Sequence, residues 1–403
     1  MTELNEMSRP MKAGIITALI CLLSTGNVLT GCGNTQTEEA PVEQTVEPAS
    51  TEQPVEVKAQ FPKIASWLAK KEQLVLSGKP YSLVMTGWVT PEEAASLREN
   101  NPAVQIYAGL TCNWVFDNDE WMEFLTVIAS YGRETPFEVK ESMYLKNGDG
   151  TRCAFGWASE EWGHEEIYAM DPRNTDWIEM ITAFYRNVLE QPQHDGIIVD
   201  MVTEKSWCPQ VIRDEEWVAS TKAIMARIQE ANTENKPVIF NSGRDFREID
   251  EYSDYMDGYL MENFLGEQFG TMFDEGLAAA DTGYIIIYAA DTDDAGIKDL
   301  ARMRLGLTLS LLNDNTYITY DVGARDHGDA WWFPEYDVDL GLPLGCYYRE
   351  GSGYRRDFEK GTVVCAPYKD ITVVFFDEHK DISTGQRGTS FTINKGDGRI
   401  FIK

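Results

Sequence analysis

Short apolar runs alternate with amphipathic helical patterns along the chain from residue 61 onward. The runs are rich in β-branched and aromatic residues, and they predict strands at 81–85, 104–108, 196–200, 237–240, 258–262, 284–288 and 317–321. A less clear strand is predicted near 153–157, inside a long insertion, and 61–77 is an amphipathic segment. Helices are predicted between the runs, and one begins at Thr90-Pro91, which supplies an N-cap residue followed by Pro.

Runs that are apolar on both faces and alternate with helices are typical of a parallel sheet covered by helices on both sides. About eight such units in roughly 250 to 280 residues match the size of a (β/α)8 TIM barrel. An open doubly wound sheet is the alternative, but no GxGxxG loop follows the first strand. We therefore predict an α/β TIM barrel over 61–343, closed by pairing of the strand at 317–321 with the strand at 81–85.

The pattern changes after residue 344. Strand-like runs separated by Gly, Asp and Lys turns continue to the end of the chain, and no helical pattern lies between them. Residues 344–403 are therefore predicted to form a small antiparallel, all-β domain resembling a β-sandwich.

The N-terminal 60 residues carry a different signal. Arg9 and Lys12 precede an apolar stretch at 13–23, which has the length of a signal-peptide core and is too short to span a bilayer. Leu29-Thr30-Gly31-Cys32 then resembles the bacterial lipobox, in which the Cys is acylated and becomes the mature N-terminus. We predict a lipoprotein signal peptide at 1–31 with Cys32 as the lipidation site; a plain secretory signal is the alternative.

Residues 32–60 are rich in Glu, Thr, Pro and Gln and have no aromatic residue, so they are predicted to be a disordered acidic tether. The lipid chains would hold the protein to a membrane without a transmembrane helix. The expected location is the bacterial cell envelope, outside the cytoplasm.

Charge excludes one class of partner. The chain has 35 Lys and Arg against 66 Asp and Glu, a formal net charge of -31, and such a chain repels nucleic acid. Only 4 His are present, and no Cys-x-x-Cys spacing occurs, so we expect neither a metal nor any other cofactor. We expect a monomer.

Five cysteines remain after Cys21 and Cys32 are set aside. Cys112 with Cys153, and Cys346 with Cys365, are the first pairings to test. Free buried thiols are an equally good interpretation.

The active sites of TIM barrels lie at the C-terminal ends of the strands. The residues that end the predicted strands or follow them are mostly acidic, amide or aromatic: Trp88, Tyr107, Asp200, Asn241, Arg244, Glu262, Asp291 and Asp321, with Trp331 and Trp332 beyond the last strand. Carboxylates and aromatic residues without a catalytic His suit glycosidic-bond chemistry, in which one carboxyl protonates the leaving oxygen and the other attacks the sugar or activates water.

Four segments carry a family resemblance: 195–200 (DGIIVD), 258–263 (GYLMEN), 335–345 (EYDVDLGLPLG) and 356–364 (RDFEKGTVV). Their order and spacing resemble those of hypothetical glycosyl hydrolases with a (β/α)8 barrel and a C-terminal β domain, related to endo-α-1,4-polygalactosaminidases and the α-galactosidase superfamily. The resemblance spans roughly residues 80 to 403. Cys365-Ala366-Pro367 departs from it, because an Asn-Pro is expected there.

The prediction is thus a lipid-anchored glycoside hydrolase that acts on an extracellular or cell-surface carbohydrate. Asp200 is the predicted nucleophile or base, and Glu262 is the predicted acid, with the higher pKa because it follows a more apolar run. Trp88, Tyr107, Asn241, Arg244, Asp291, Asp321, Trp331 and Trp332 are predicted to bind substrate. The alternatives are a non-catalytic glycan-binding lipoprotein on the same fold and, more weakly, a solute-binding protein.

The anchor can be tested directly. If Cys32 is acylated, Cys32→Ser should move the protein from the membrane fraction to the soluble fraction, because the lipid chains supply its membrane affinity. Fractionation and mass spectrometry of the mature N-terminus measure this. An unmodified N-terminus at another residue would contradict the prediction.

Overall fold

The computed structural model describes residues 61–155, 167–206, 208–241, 243, 246–266, 269–323 and 327–403. The predicted signal peptide, Cys32, the tether and Arg244 lie outside the described residues. No described helix is long and apolar enough to cross a bilayer.

Ten strands lie between residues 65 and 321: β1 Ala65–Trp67, β2 Leu83–Thr86, β3 Gln105–Ala108, β4 Trp114–Phe116, β5 Ile167–Ala169, β6 Gly196–Val199, β7 Val238–Asn241, β8 Gly258–Met261, β9 Ile285–Asp291 and β10 Thr316–Asp321. Eight of them form a parallel sheet in the order β1-β2-β3-β6-β7-β8-β9-β10. Ile64 pairs in parallel with Ile318, which joins the two ends of the sheet. The described strands therefore confirm the predicted TIM barrel.

Two details of the prediction were wrong. The barrel closes between β10 and β1, and the predicted first strand at 81–85 corresponds to the second strand, β2. β1 is only three residues long, so its alternation was too short to separate from the amphipathic segment in which it lies. The strand predicted near 153–157 is not part of the barrel, because Ala154 bridges Tyr168 of β5 in an antiparallel pair; residues 156 and 157 are not described.

Seven described helices accompany these strands: α1 Lys71–Ser77, α2 Pro91–Asn100, α3 Asp119–Ala129, α4 Thr175–Leu189, α5 Asp214–Ala231, α6 Phe269–Asp281 and α7 Leu300–Ser310. A 3-10 segment, Phe246–Tyr255, connects β7 to β8. The predicted N-cap of α2 is confirmed, because Thr90 Oγ1 accepts a hydrogen bond from the Glu93 N–H and the Glu93 carboxylate accepts one from the Thr90 N–H.

The centre of the barrel is filled by side chains that recur at every second residue of each strand. This core contains Ala65, Trp67, Leu83, Met85, Tyr107, Ile198, Ile239, Leu260, Ile287 and Ala289. Side chains of a strand alternate between its two faces, so the next inward positions along β6, β7, β8, β9 and β10 are Asp200, Asn241, Glu262, Asp291 and Asp321. The same alternation that builds the core therefore also directs the polar residues inward.

A small subdomain is inserted between β3 and β6. β4 and β5 pair in antiparallel fashion, and their side chains share a second core with Cys153, Cys208 and Trp217. Cys153 and Cys208 form a disulfide between this insertion and the segment that follows β6. Neither predicted pairing occurs, because Cys112 and Cys365 are buried free thiols and Cys346 is a free exposed one.

The C-terminal segment forms six antiparallel strands: β11 Tyr348–Glu350, β12 Gly353–Asp357, β13 Gly361–Ala366, β14 Ile371–Asp381, β15 Arg387–Ile393 and β16 Asp397–Ile402. They make one sheet in the order β11-β12-β13-β16-β14-β15, where the sequence predicted a sandwich-like arrangement. Arg304 of α7 binds Asp397 through two hydrogen bonds of 2.9 Å. Gly398 lies so close to α7 that an added Cβ would stand 1.9 Å from Thr308 Oγ1. The sheet is therefore packed tightly against the barrel.

The disulfide should contribute measurably to stability. Cys153→Ser should lower the free energy of unfolding by about 3 kcal/mol, because the disulfide closes a loop with a sequence separation of 55 residues. Urea unfolding measures the loss, with Cys346→Ser, which removes an exposed free thiol, as the control. Peptide mapping that fails to find a reducible link between Cys153 and Cys208 would contradict the pairing.

Candidate active site

The C-terminal end of the barrel carries the polar residues identified from the sequence. All eight strands are parallel, so their C-terminal ends lie at one end of the barrel. Inward alternation brings Asp200, Asn241, Glu262 and Asp321 to this mouth, and Trp67 of β1 joins them. Two linked groups of contacts result, one around Asp200 and one around Glu262.

Asp200 is held through one of its two carboxylate oxygens. Asn241 Nδ2 donates to Asp200 Oδ1 at 2.7 Å, and the Met201 N–H donates to the same oxygen at 2.8 Å. Asn241 is itself fixed, because its Oδ1 accepts the Gly243 N–H at 2.8 Å. Register explains the contact, since the pairing of Ile198 with Ile239 places the next inward residues of β6 and β7 side by side.

Glu262 lies between an indole and an imidazole. Trp67 Nε1 donates to Glu262 Oε1 at 2.9 Å, and His327 Nε2 stands 3.6 Å from the same oxygen. On its other side, His327 Nδ1 lies 2.8 Å from Asp321 Oδ2. The three side chains of Glu262, His327 and Asp321 are 19%, 11% and 5% exposed, so this chain of contacts is largely shielded from solvent.

Electrostatic interactions link the contacts around Asp200 to those around Glu262. Burial raises the pKa of Asp200 to about 7, and the negative charge of Glu262 acts in the same direction. Burial alone would lower the pKa of His327, but the hydrogen bond and charge of Asp321, with the charges of Glu262 and Asp200, raise it to about 9. We predicted a raised pKa for Glu262, whereas the structure raises that of Asp200. Near neutral pH a proton is thus available at the carboxyl pair.

Asp291 lies at the same end of the barrel and is 3% exposed. Burial raises the pKa of Asp291 to about 6. The Asp293 N–H, which donates to Asp291 Oδ1 at 2.8 Å, and the charge of Arg302 act in the opposite direction. Arg302 Nη2 stands 3.7 Å from Asp291 Oδ1, so this predicted substrate-binding residue has an ionic partner within the fold. Within the described residues, no group of three or more His, Cys, Asp or Glu side chains could hold a metal ion.

The backbone turns sharply just beyond the mouth residues. Among the described residues, the non-glycine positions with positive φ are Leu68, Met201, Asn235, Asn263, Asp293 and Asp294. All except Asn235 follow Trp67, Asp200, Glu262 or Asp291 within three residues. Left-handed backbone is costly for residues with a Cβ and tends to collect at functional sites, so it marks this end of the barrel independently of the side chains.

Three of the predicted substrate-binding aromatic residues pack elsewhere. Trp88 is 8% exposed and its ring lies edge-on to His194, at 4.7 Å between centroids. Tyr107 is buried in the barrel core, where its hydroxyl donates to Gln105. Trp332 packs on Tyr81 and Tyr336. Burial leaves Trp88 and Tyr107 little surface for a ligand, so the substrate-binding prediction is wrong for these two, whereas Trp332 is partly exposed and its prediction stays open.

Trp331 lies nearer the mouth. It lines a cleft together with Trp67 and Asp321, and its Nε1 donates to Asp329 at 3.2 Å. The cleft holds about 10 Å³, which is the space of a water molecule and too small for a sugar ring.

Sequence reasoning missed Trp67 and His327. Trp67 was hidden because the three residues of β1 were included in an amphipathic segment. His327 follows the last barrel strand by six residues, and no spacing rule connects it to Glu262 or Asp321. Only the folded chain brings these three residues together.

Comparison with known proteins agrees with this architecture. A family model described as hypothetical glycosyl hydrolase family 15 matches residues 138–362, more than half of the 403 residues, and this range includes Asp200, Glu262 and His327. A search of curated proteins gives no match.

Solved structures with similarity to the chain include several carbohydrate-active proteins. One is a noncanonic maltogenic α-amylase, AmyB, from Thermotoga neapolitana, with 11% identity, a TM-score of 0.48 and coverage of 85% of this chain and 98% of that one. The glycoside hydrolase domain of PelA from Pseudomonas aeruginosa has 14% identity, a TM-score of 0.43 and coverage of 66% and 96%. Ega3 from Aspergillus fumigatus, in complex with galactosamine, has 7% identity, a TM-score of 0.41 and coverage of 62% and 86%.

The raised pKa of Asp200 predicts a pH-dependent effect on stability. The folded state binds this proton more tightly than the unfolded state, whose pKa is near 3.8, so stability is present below pH 4 and is lost as the pH rises through about 7. Asp200→Asn removes the ionisation. Its free energy of unfolding, relative to the wild type, should therefore increase between pH 4 and pH 8, by an amount on the order of 1–4 kcal/mol.

Urea unfolding at the two pH values measures the difference. Glu378→Gln, which changes an exposed carboxyl on β14, is the control and should show no such dependence. An effect of Asp200→Asn that is the same at both pH values would contradict the assignment of a raised pKa.

Proposed function

The chain belongs to hypothetical glycosyl hydrolase family 15, and from this premise we propose that it hydrolyses glycosidic bonds with Asp200 and Glu262 as its catalytic carboxyls. One observation carries the proposal: two carboxyl groups at the C-terminal ends of alternate barrel strands, β6 and β8, act on each other electrostatically and have a proton available near neutral pH. Glycoside hydrolysis requires one protonated and one ionised carboxyl at the same bond.

The contacts suit two different roles. Both hydrogen bonds to Asp200 end on Oδ1, which fixes the carboxylate and leaves Oδ2 as the attacking atom. Glu262 is held by Trp67 through Oε1, and its Oε2 has no hydrogen-bond partner among the described residues, so that oxygen is the one to face the leaving group. In the proposed cycle, the one proton of the carboxyl pair moves from Asp200 to Glu262 when substrate binds; Glu262 then gives it to the leaving oxygen while ionised Asp200 attacks the anomeric carbon.

A covalent glycosyl–enzyme intermediate and retention of configuration follow from these roles. Glu262, now ionised, takes a proton from the water that releases the sugar, and the pair returns to its starting state. Because burial and the charge of Glu262 raise the pKa of Asp200 to about 7, the pair keeps one proton near neutral pH, and the reactive form places that proton on Glu262.

We also propose where this chemistry takes place. The lipobox-like segment ending at Cys32 and the acidic sequence after it support a protein anchored to the bacterial envelope by lipid alone. The substrate class is then an extracellular or cell-surface carbohydrate. The acidic chain is expected to act as a monomer and without nucleic acid.

A panel of polysaccharides and aryl glycosides tests the activity. Asp200→Asn and Glu262→Gln should each lower kcat at least about 1,000-fold on a polysaccharide that the wild type cleaves, because each removes one half of the acid–nucleophile pair. Glu378→Gln serves as the matched control, since it changes a carboxyl remote from the mouth.

Leaving-group dependence separates the two roles. Glu262→Gln should retain substantial activity on aryl glycosides whose leaving group needs no protonation, whereas Asp200→Asn should remain inactive on them. If Asp200→Asn retained activity on these substrates and Glu262→Gln did not, the roles of acid and nucleophile would be exchanged. Wild-type protein that binds a glycan but cleaves no member of the panel would overturn the hydrolase proposal in favour of a glycan-binding lipoprotein.

A further inference from the structure

His327 is the one described histidine that stands among the mouth carboxylates. His194 is buried behind Trp88, and His379 stacks on Phe375 in the C-terminal sheet. The imidazole of His327 lies 2.8 Å from Asp321 Oδ2 through Nδ1 and 3.6 Å from Glu262 Oε1 through Nε2. Its ring centroid is 6.1 Å from that of Trp67, the other side chain that contacts Glu262. These contacts fix the ring on both sides.

Among the described residues, the charged groups that act on His327 are acidic. Asp321 ends β10, Glu262 directly follows β8, and Asp200 directly follows β6. Asp321 has a side chain only 5% exposed, so its charge is shielded from water, and its contact with His327 favours the charged form of the ring. A neutral imidazole could satisfy one hydrogen bond, but only an imidazolium can donate to Asp321 and also direct an N–H toward Glu262.

We propose that His327 is a positioning residue for the glycosidase reaction: Asp321 holds it as an imidazolium, and this cation orients Glu262 and sets the pH range in which the carboxyl pair carries a single proton. The inference rests on the proposed function, because it assigns His327 a part in the same carboxyl pair. Asp321 acts through His327, and so its predicted role as a substrate-binding residue is replaced by support of the imidazolium.

The consequence concerns the pH range of activity. A cation near both carboxyls favours their ionised forms, so its removal should raise both pKa values that limit the reaction. In His327→Gln, the two limbs of the pH profile of kcat/KM should both move to higher pH by about one unit. His327→Lys, which restores a cation, should return the limbs toward their wild-type positions.

Asp321→Asn should produce a smaller shift, because the ring keeps a hydrogen-bonding partner but loses the charge that holds it protonated. His379→Gln is the matched control, since it removes an imidazole that is remote from the mouth. A His327→Gln variant that loses activity or thermal stability without any movement of the limbs would overturn the proposal, because that is the result expected of a structural role alone.

A second measurement does not depend on turnover. In NMR titrations of the imidazole Cε1–H signals, His327, identified by its absence in His327→Gln, should titrate with a midpoint near pH 9. Asp321→Asn and Glu262→Gln should each lower this midpoint. A wild-type midpoint near the ordinary value of 6.5 would overturn the proposal.

The two measurements distinguish the possible failures. If no glycan is cleaved but the midpoint and its response to Glu262→Gln are as expected, the hydrolase proposal fails and the coupling of His327 to Glu262 stands. If glycans are cleaved and neither the midpoint nor the pH limbs behave as expected, the role of His327 fails and the hydrolase proposal stands.

Discussion

Closure of the parallel sheet is the constraint from which the site follows. The pairing of Ile64 with Ile318 turns eight parallel strands into a ring, and a ring has a single mouth at which all their C-terminal ends meet. Residues from β1, β6, β8 and β10, far apart in the sequence, become neighbours there. Trp67 and Glu262 are 195 positions apart in the chain, and they are in contact only because the pairing of β1 with β10 closes the barrel.

The mouth gathers more negative charge than a buried site can hold without compensation. Asp200, Glu262 and Asp321 converge there, and full ionisation of all three would be opposed both by burial and by mutual repulsion. The structure meets this cost in two ways: it raises the pKa of Asp200 toward neutrality, and it places the imidazole of His327 among the three carboxylates. The chemical character of the site is therefore a property of the cluster and not of one residue.

Much of this architecture could be predicted from the sequence, because it depends on local patterns. The strands β6, β8, β9 and β10 were evident as apolar runs, and the rule that barrel chemistry lies at strand ends selected Asp200 and Glu262 as candidates. What could not be predicted depends on contacts between distant segments. β1 was too short to be recognised, the partner of Cys153 was 55 residues away, and nothing local connects His327 with Glu262.

The predictions for aromatic residues were wrong for another reason. The sequence around a tryptophan at a strand end is the same whether its ring faces a ligand or a neighbouring side chain, and Trp88 proved to be a buried packing residue. The residue type alone does not show in which direction a side chain points. The alternation of side chains indicates this direction only inside a strand. Tyr107 shows that an inward position can still lie too deep in the core to contact a ligand.

The left-handed residues that follow the mouth side chains carry a cost for the evolution of this protein. Leu68 and Met201 each carry a Cβ in a conformation that glycine adopts freely, at a cost of roughly 1–2 kcal/mol apiece. Replacement by glycine would be among the simplest ways to make the chain more heat-resistant. It would also loosen the turn that aims the Met201 N–H at Asp200. Selection for thermostability and selection for the proposed hydrolysis would therefore act in opposite directions at these backbone positions.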